Sequence, residues 1–126
     1  MEVLMMSNII LVGIGGFFGT VCRYLIGLIP IRADNGFPIK TLAINVAGAF
    51  LISLITVLAA INKSFSPQLA LMLRVGVCGG FTTFSTFAYE SADLIKSGSV
   101  VTALGYICIS SVLGILAVFA AELLVK

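Results

Sequence analysis

Four apolar stretches, residues 5–29, 39–61, 68–96 and 100–124, take up most of this 126-residue chain and leave only short connections. Each is long enough for a bilayer core, which roughly 20 residues of helix cross. In hydrocarbon every backbone amide needs a partner within the protein, so only helices or a closed barrel can span it. Stretches of this length predict an all-α integral membrane protein with four transmembrane helices in a single domain, residues 1–126. Composition agrees. The chain is 60% hydrophobic and 10% charged, where a soluble domain carries about 25% charge.

Several classes of function fall away. Net charge is +2 without a basic block, so no nucleic-acid partner is expected. There is no His, and Cys22, Cys78 and Cys108 are odd in number and form no CxxC pair. They read as packing residues rather than zinc ligands or a disulfide framework. The N-terminal Met-Glu-Val-Leu-Met-Met lacks the positive region of a signal peptide, so the first span is expected to persist. Enzymatic chemistry has no support either: Ser85 has no His or evident base, and no carboxylate pair lies in the apolar core.

The third stretch is too long. Twenty-nine residues of straight helix reach about 43 Å, against a hydrocarbon core of about 30 Å. At its middle stands Gly79-Gly80-Phe81-Thr82-Thr83-Phe84-Ser85-Thr86-Phe87. Adjacent glycines cost roughly 1 kcal/mol each in a helix interior. The β-branched threonines and Ser85 compete for local backbone groups. Both signals predict a helix broken mid-membrane, and such breaks often hold ions through freed carbonyls. A Gly-kinked structural helix is the bland alternative. Phe84 and Phe87, three apart, share a helical face.

Polar residues on the other spans bear on the choice. In span one Gly13, Gly16, Thr20, Arg23 and Gly27 recur at steps of three and four, with Gly16 and Thr20 as a small-xxx-small pair for close helix approach. Two roles fit Arg23 equally, a snorkelling anchor and an anion attractor at a vestibule mouth. Span two carries Asn45, Gly48, Ile52, Ser53 and Thr56 as a narrow stripe. The Asn45 amide suits an interhelical hydrogen bond, and it also offers two uncharged donors to an anion. Span four sets Thr102, Tyr106, Ser110 and Gly114 at steps of four. Arg74, near the entry of span three, and Glu90 and Asp93, near its exit, are expected at the two interfaces; solvated or snorkelling charge is the bland reading for all three and the favoured one for Asp93.

Orientation is poorly specified. The two ends and the second loop share one side with Lys63 and Lys126, and the other loops hold Arg32, Lys40 and Lys96. Three against two is almost no positive-inside bias. An antiparallel, dual-topology homodimer is compatible with that balance.

These residues resemble the Fluc fluoride channels, also called CrcB proteins, over essentially the whole chain. The likeness rests on the Gly-rich first span ending in Arg23-Tyr24, on Thr41-Leu42-Ala43-Ile44-Asn45-Val46-Ala47-Gly48-Ala49-Phe50, and above all on the sequence from Gly76 to Phe87. The resemblance implies a dual-topology homodimer of the bacterial inner membrane that conducts fluoride passively through two pores. It also implies a structural sodium ion on the two-fold axis, held by the carbonyls of Gly79 and Thr82. By motif position, Phe84 and Phe87 match pore-lining phenylalanines, Asn45 and Arg23 match vestibule residues, and Tyr106 and Ser110 match a hydroxyl track. The next turn of that track is Gly114.

Elementary chemistry fits. Fluoride is small and strongly hydrated, so a pore must replace its water with donors, for which Asn45, Ser85, Thr86, Tyr106 and Ser110 are candidates. A small multidrug exporter also has four spans, but it needs a membrane-embedded carboxylate in its first span. Here Glu2 lies outside the core and span one has no other acid. A purely structural subunit would leave the polar stripes and the break unexplained.

Overall fold

The computed structural model describes all residues from Met1 to Lys126, and every regular element in it is helical. Four helices are long and apolar enough to cross a membrane: α1 (Glu2–Gly27), α2 (Ile39–Ile61), a third span over Pro67–Lys96, and α6 (Val100–Leu124). The third span is composite. It opens with α3 (Pro67–Leu71), where Ser66 Oγ accepts from Leu69 N–H at 3.1 Å and Pro67 occupies the first turn. That is the position at which a missing amide hydrogen costs least. The chain then widens into a π-helical segment over Met72–Cys78 and tightens into the single turn α4 (Gly79–Phe81).

At Thr82 and Thr83 the helical path is interrupted. Their dihedrals are extended, φ −80° and ψ 157° then φ −149° and ψ 112°, before α5 (Phe84–Lys96) begins. Thr83 caps the new helix, its Oγ1 accepting from Thr86 N–H at 3.2 Å. The far end of α5 closes on Gly98, whose φ of +86° suits glycine. Ser99 N–H returns to Leu94 O at 2.8 Å and Gly98 N–H to Ile95 O at 3.1 Å, the paired bonds of a Schellman ending.

Packing divides the molecule into two layers. In one, α2 lies along α6, and in the other α1 lies along the π-helical segment and α4, while α5 closes onto α6. The second contact depends on glycine from both sides. A Cβ at Gly15 would sit 2.5 Å from Met72 O, one at Gly76 2.8 Å from Val12 O, and one at Gly80 2.6 Å from Gly16 O. At Gly19 it would collide with the carbonyl of Val77. The close face of α1 is therefore centred on Gly15 and Gly19, with Gly16 and Thr20 at its edge against Gly80. Gly13 and Gly27, expected on that face, have nothing within 4 Å. Both sets follow helical spacing, and the seam runs where Gly76 and Gly80 sit opposite.

Only 13 of 126 residues are buried in the single chain. Side chains such as Phe17, Phe18, Leu116 and Phe119 lie exposed along the outer helices. Apolar surface on this scale needs lipid or a further copy of the chain to cover it.

Candidate functional site

The interruption in the third span redirects a short run of hydrogen bonds. Thr82 N–H makes the last regular bond of α4, to Cys78 O at 2.9 Å, and Thr82 Oγ1 donates to the same carbonyl at 2.8 Å. Thr83 N–H donates instead to Asn45 Oδ1 at 2.8 Å, and Asn45 Nδ2 returns a bond to Thr83 O at 3.0 Å. Arg23 Nε reaches from α1 to Gly80 O at 3.1 Å, with Thr20 Oγ1 at 3.5 Å from the same oxygen. In an uninterrupted α-helix the amides of Thr83 and Thr86 would serve the carbonyls of Gly79 and Thr82. Here both amides are spent elsewhere, on Asn45 and on Thr83 Oγ1. The carbonyls of Gly79 and Thr82 are thus deprived of their helical donors, as are those of Phe81 and of Gly80, which Arg23 takes up.

Two cavities meet at this point. One, of about 430 Å³, is lined by Asn45, Gly79, Thr82, Phe84, Phe87 and Ser110, among others. Ser110 Oγ is buried and has no hydrogen-bond partner. The rings of Phe84 and Phe87 stand 5.8 Å apart, Phe84 largely exposed and Phe87 half-buried. The second cavity, of about 520 Å³, has Arg23, Lys40, Thr41, Thr86 and Glu90 in its wall. Thr83 lines both, so the extended residue forms the partition between an apolar chamber and a charged one.

Residues 10–122 match the protein family described as CrcB-like protein, Camphor Resistance (CrcB). The chain belongs to the CrcB family. Among its relatives, a protein of Chlorobaculum tepidum is 43% identical over 123 residues, covering 98% of each chain. One of Rhizobium meliloti is 42% identical over 122 residues, 96% of this chain and 98% of its own. One of Gloeothece citriformis is 41% identical over 123 residues, again 96% and 98%. All three are named fluoride-specific ion channel FluC. The family is thus one of ion channels and not of enzymes, and its four apolar helices make this CrcB chain a multi-pass membrane protein.

Not every candidate residue of the CrcB chain reaches the apolar chamber. Thr86 and Arg23 line the charged one. Ser85 is exposed on the outer side of α5, in the wall of neither. Tyr106 is fully buried, its ring 5.1 Å from Phe87 and 5.4 Å from Phe37 by centroid. Its hydroxyl donates to Glu90 Oε2 at 2.7 Å, while Thr41 Oγ1 donates to Glu90 Oε1 at 2.7 Å. Glu90 is therefore no free interfacial charge. It is a half-buried carboxylate held by α2 and α6 at the wall of the charged chamber. Sequence reasoning missed this because both donors lie far along the chain; a carboxylate six residues inside the end of a span was the available hint.

Proposed function

We propose that this chain is a fluoride-selective channel through which cytoplasmic fluoride leaves passively, built as an antiparallel, dual-topology homodimer with two pores in the bacterial inner membrane. The observation that carries the proposal is the apolar chamber, which Asn45, Phe84, Phe87 and Ser110 line together and where the buried Ser110 hydroxyl has no hydrogen-bond partner. A dehydrating anion needs donors there, and Ser110 has one to give. Asn45 spends one amide hydrogen on Thr83 and keeps the other. The electropositive ring edges of Phe84 and Phe87 can face fluoride without gripping it. Weak sites suit conduction, since an ion must leave as readily as it arrives. Arg23 keeps guanidinium donors beyond the Nε engaged with Gly80, enough to draw anions into the charged chamber.

Direction follows from energetics. A negative interior drives each anion outward by about 2.3 kcal/mol per 100 mV. Hydrofluoric acid is weak, enters neutral and ionises inside, so a passive leak relieves fluoride toxicity with no energy source.

The break suits a structural sodium ion at the dimer axis. Gly79 and Thr82 present carbonyls that have lost their helical donors, and no carboxylate accompanies them. Neutral oxygens are the ligands a hard monovalent cation takes. Bound there, the ion would supply the charge that holds the carbonyls of two subunits together.

The test is flux. Purified protein in fluoride-loaded liposomes, with a potassium ionophore to carry the counter-ion, should release fluoride quickly at an electrode and release no chloride. Phe84→Ile should cripple release. Folded dimeric protein that releases no fluoride would overturn the proposal.

A further inference from the structure

Asn45 was expected to face the permeating anion, yet two of its four hydrogen-bonding positions, one donor and one acceptor, are committed elsewhere. Its Oδ1 takes Thr83 N–H at 2.8 Å and its Nδ2 serves Thr83 O at 3.0 Å. A carboxamide has the donor and acceptor of a peptide group in one plane. It therefore pairs with the extended Thr83 as a neighbouring strand would, through both backbone groups of one residue. Leu, Ser or Asp at this position lacks either the donor, the acceptor or the planar spacing between them.

The pairing has a consequence one turn away. Were Thr83 N–H free, the cheapest way to satisfy it in hydrocarbon would be the helical bond to Gly79 O. That bond would pull Thr83 into α4 and remove its Oγ1 from the cap on Thr86 N–H, returning the Thr86 amide to Thr82 O. Both carbonyls assigned above to a cation would then be occupied by amides. From this geometry we infer that Asn45 is a positioning residue, which clamps Thr83 in extended form and so keeps the Gly79 and Thr82 carbonyls available. The cation-binding half of this role rests on the cation site proposed above; the clamp itself rests only on the two hydrogen bonds.

Two variants and two readouts test it. Asn45→Leu removes the clamp, whereas Asn45→Gln keeps an amide that can donate to an anion but lengthens it by one methylene. Ser110→Ala, in the same cavity, is the comparison that removes a lining hydroxyl and leaves the clamp. Backbone amide exchange at Thr83, followed by NMR on labelled protein in lipid, reads the clamp directly. Sodium titration of the dimer's thermal stability reads the carbonyls. In Asn45→Leu and Asn45→Gln the half-saturating sodium concentration should rise about tenfold, as for the loss of a pair of interhelical hydrogen bonds. Thr83 exchange should change in both variants while amides of α6 keep their wild-type rates. Ser110→Ala should alter neither readout.

The outcomes separate. Unchanged Thr83 exchange in both Asn45 variants would overturn the clamp. Changed exchange with an unmoved sodium midpoint would overturn the positioning role. Wild-type protein whose stability ignores sodium would sink the cation site itself, and the role built on it, while Thr83 exchange would still decide whether the clamp exists. Should Asn45→Leu fail to fold, Asn45→Gln carries the same two readouts.

Discussion

At the residue scale, the polar side chains fall into those already spent on the fold and those held in reserve. Ser110 is in reserve. Its buried hydroxyl has no partner, and an orphaned buried polar group costs about 1–3 kcal/mol. Ser110→Ala should therefore leave thermal stability in detergent unchanged or raise it by about 1 kcal/mol, while fluoride flux falls by about tenfold for a lost anion hydrogen bond. Parallel loss of stability and flux would mean the hydroxyl is structural. Tyr106 is spent, since its OH and that of Thr41 grip opposite oxygens of Glu90. Tyr106→Phe should cost about 1 kcal/mol, near the range for interhelical bonds in a membrane. Combined with Thr41→Val, the losses should depart from additivity, because both act on one carboxylate. Additive losses in thermal melts would show that Glu90 is not their common anchor.

At the element scale, the third span works because α1 can lie against it at backbone distance. Gly19→Ala would drive a methyl into the Val77 carbonyl, and Gly80→Ala would put one 2.6 Å from Gly16 O. Backbone cannot yield as a side-chain tip does, so each should lower stability by about 1–3 kcal/mol, the usual cost of overpacking. Gly13→Ala and Gly27→Ala meet nothing within 4 Å. Both should be tolerated or gain up to about 1 kcal/mol from helix propensity. Melting temperatures of the four variants decide it, and equal losses at Gly13 and Gly19 would contradict this packing. The glycines also mark how far the sequence could be read. Four apolar helices were plain from hydropathy, and the unusual character of Gly79–Phe87 from its local chemistry. Which glycines of α1 face the third span was not, since 13/16/20 and 15/19 satisfy one periodicity and only Gly76 and Gly80 on the partner helix choose between them. The π-helical segment was invisible for a similar reason: Met72–Cys78, even with Gly76 between two valines, holds nothing that asks for a π-helix rather than an ordinary α-helix. At the site, Asn45, Phe84, Phe87 and Ser110 were expected along a pore and Gly79 and Thr82, separately, around a cation; these six line one cavity, whereas Ser85, Thr86 and Tyr106, expected along the same pore, do not. The sequence did not show that Tyr106 turns away to Glu90, because that depends on a contact between helices.

At the scale of the whole molecule, the proposed antiparallel dimer depends on how weakly the chain specifies its own orientation. Lys63 and Lys126 on one side stand against Arg32, Lys40 and Lys96 on the other. Lys40 is further anchored, its Nζ donating to Gly27 O at 2.7 Å and to Ile29 O at 3.3 Å where α1 ends. With so even a balance, a few added charges should fix the orientation, because insertion follows lysine and arginine in short loops. Asp34→Lys with Ser97→Lys should hold the first and third loops in the cytoplasm. Ser64→Lys with two lysines appended after Lys126 should hold the opposite side there. Reporter fusions at the C-terminus should give signals from both sides of the membrane for the unaltered chain and from one side for each biased chain. If both orientations are needed in one dimer, neither biased chain alone should protect fluoride-challenged cells, and the two expressed together should restore protection to the level of the unaltered chain. Full protection by one uniformly oriented chain would overturn the antiparallel arrangement, yet it would leave the apolar chamber and its Ser110 donor as they are. The pairing of copies and the chemistry inside each copy can therefore fail separately.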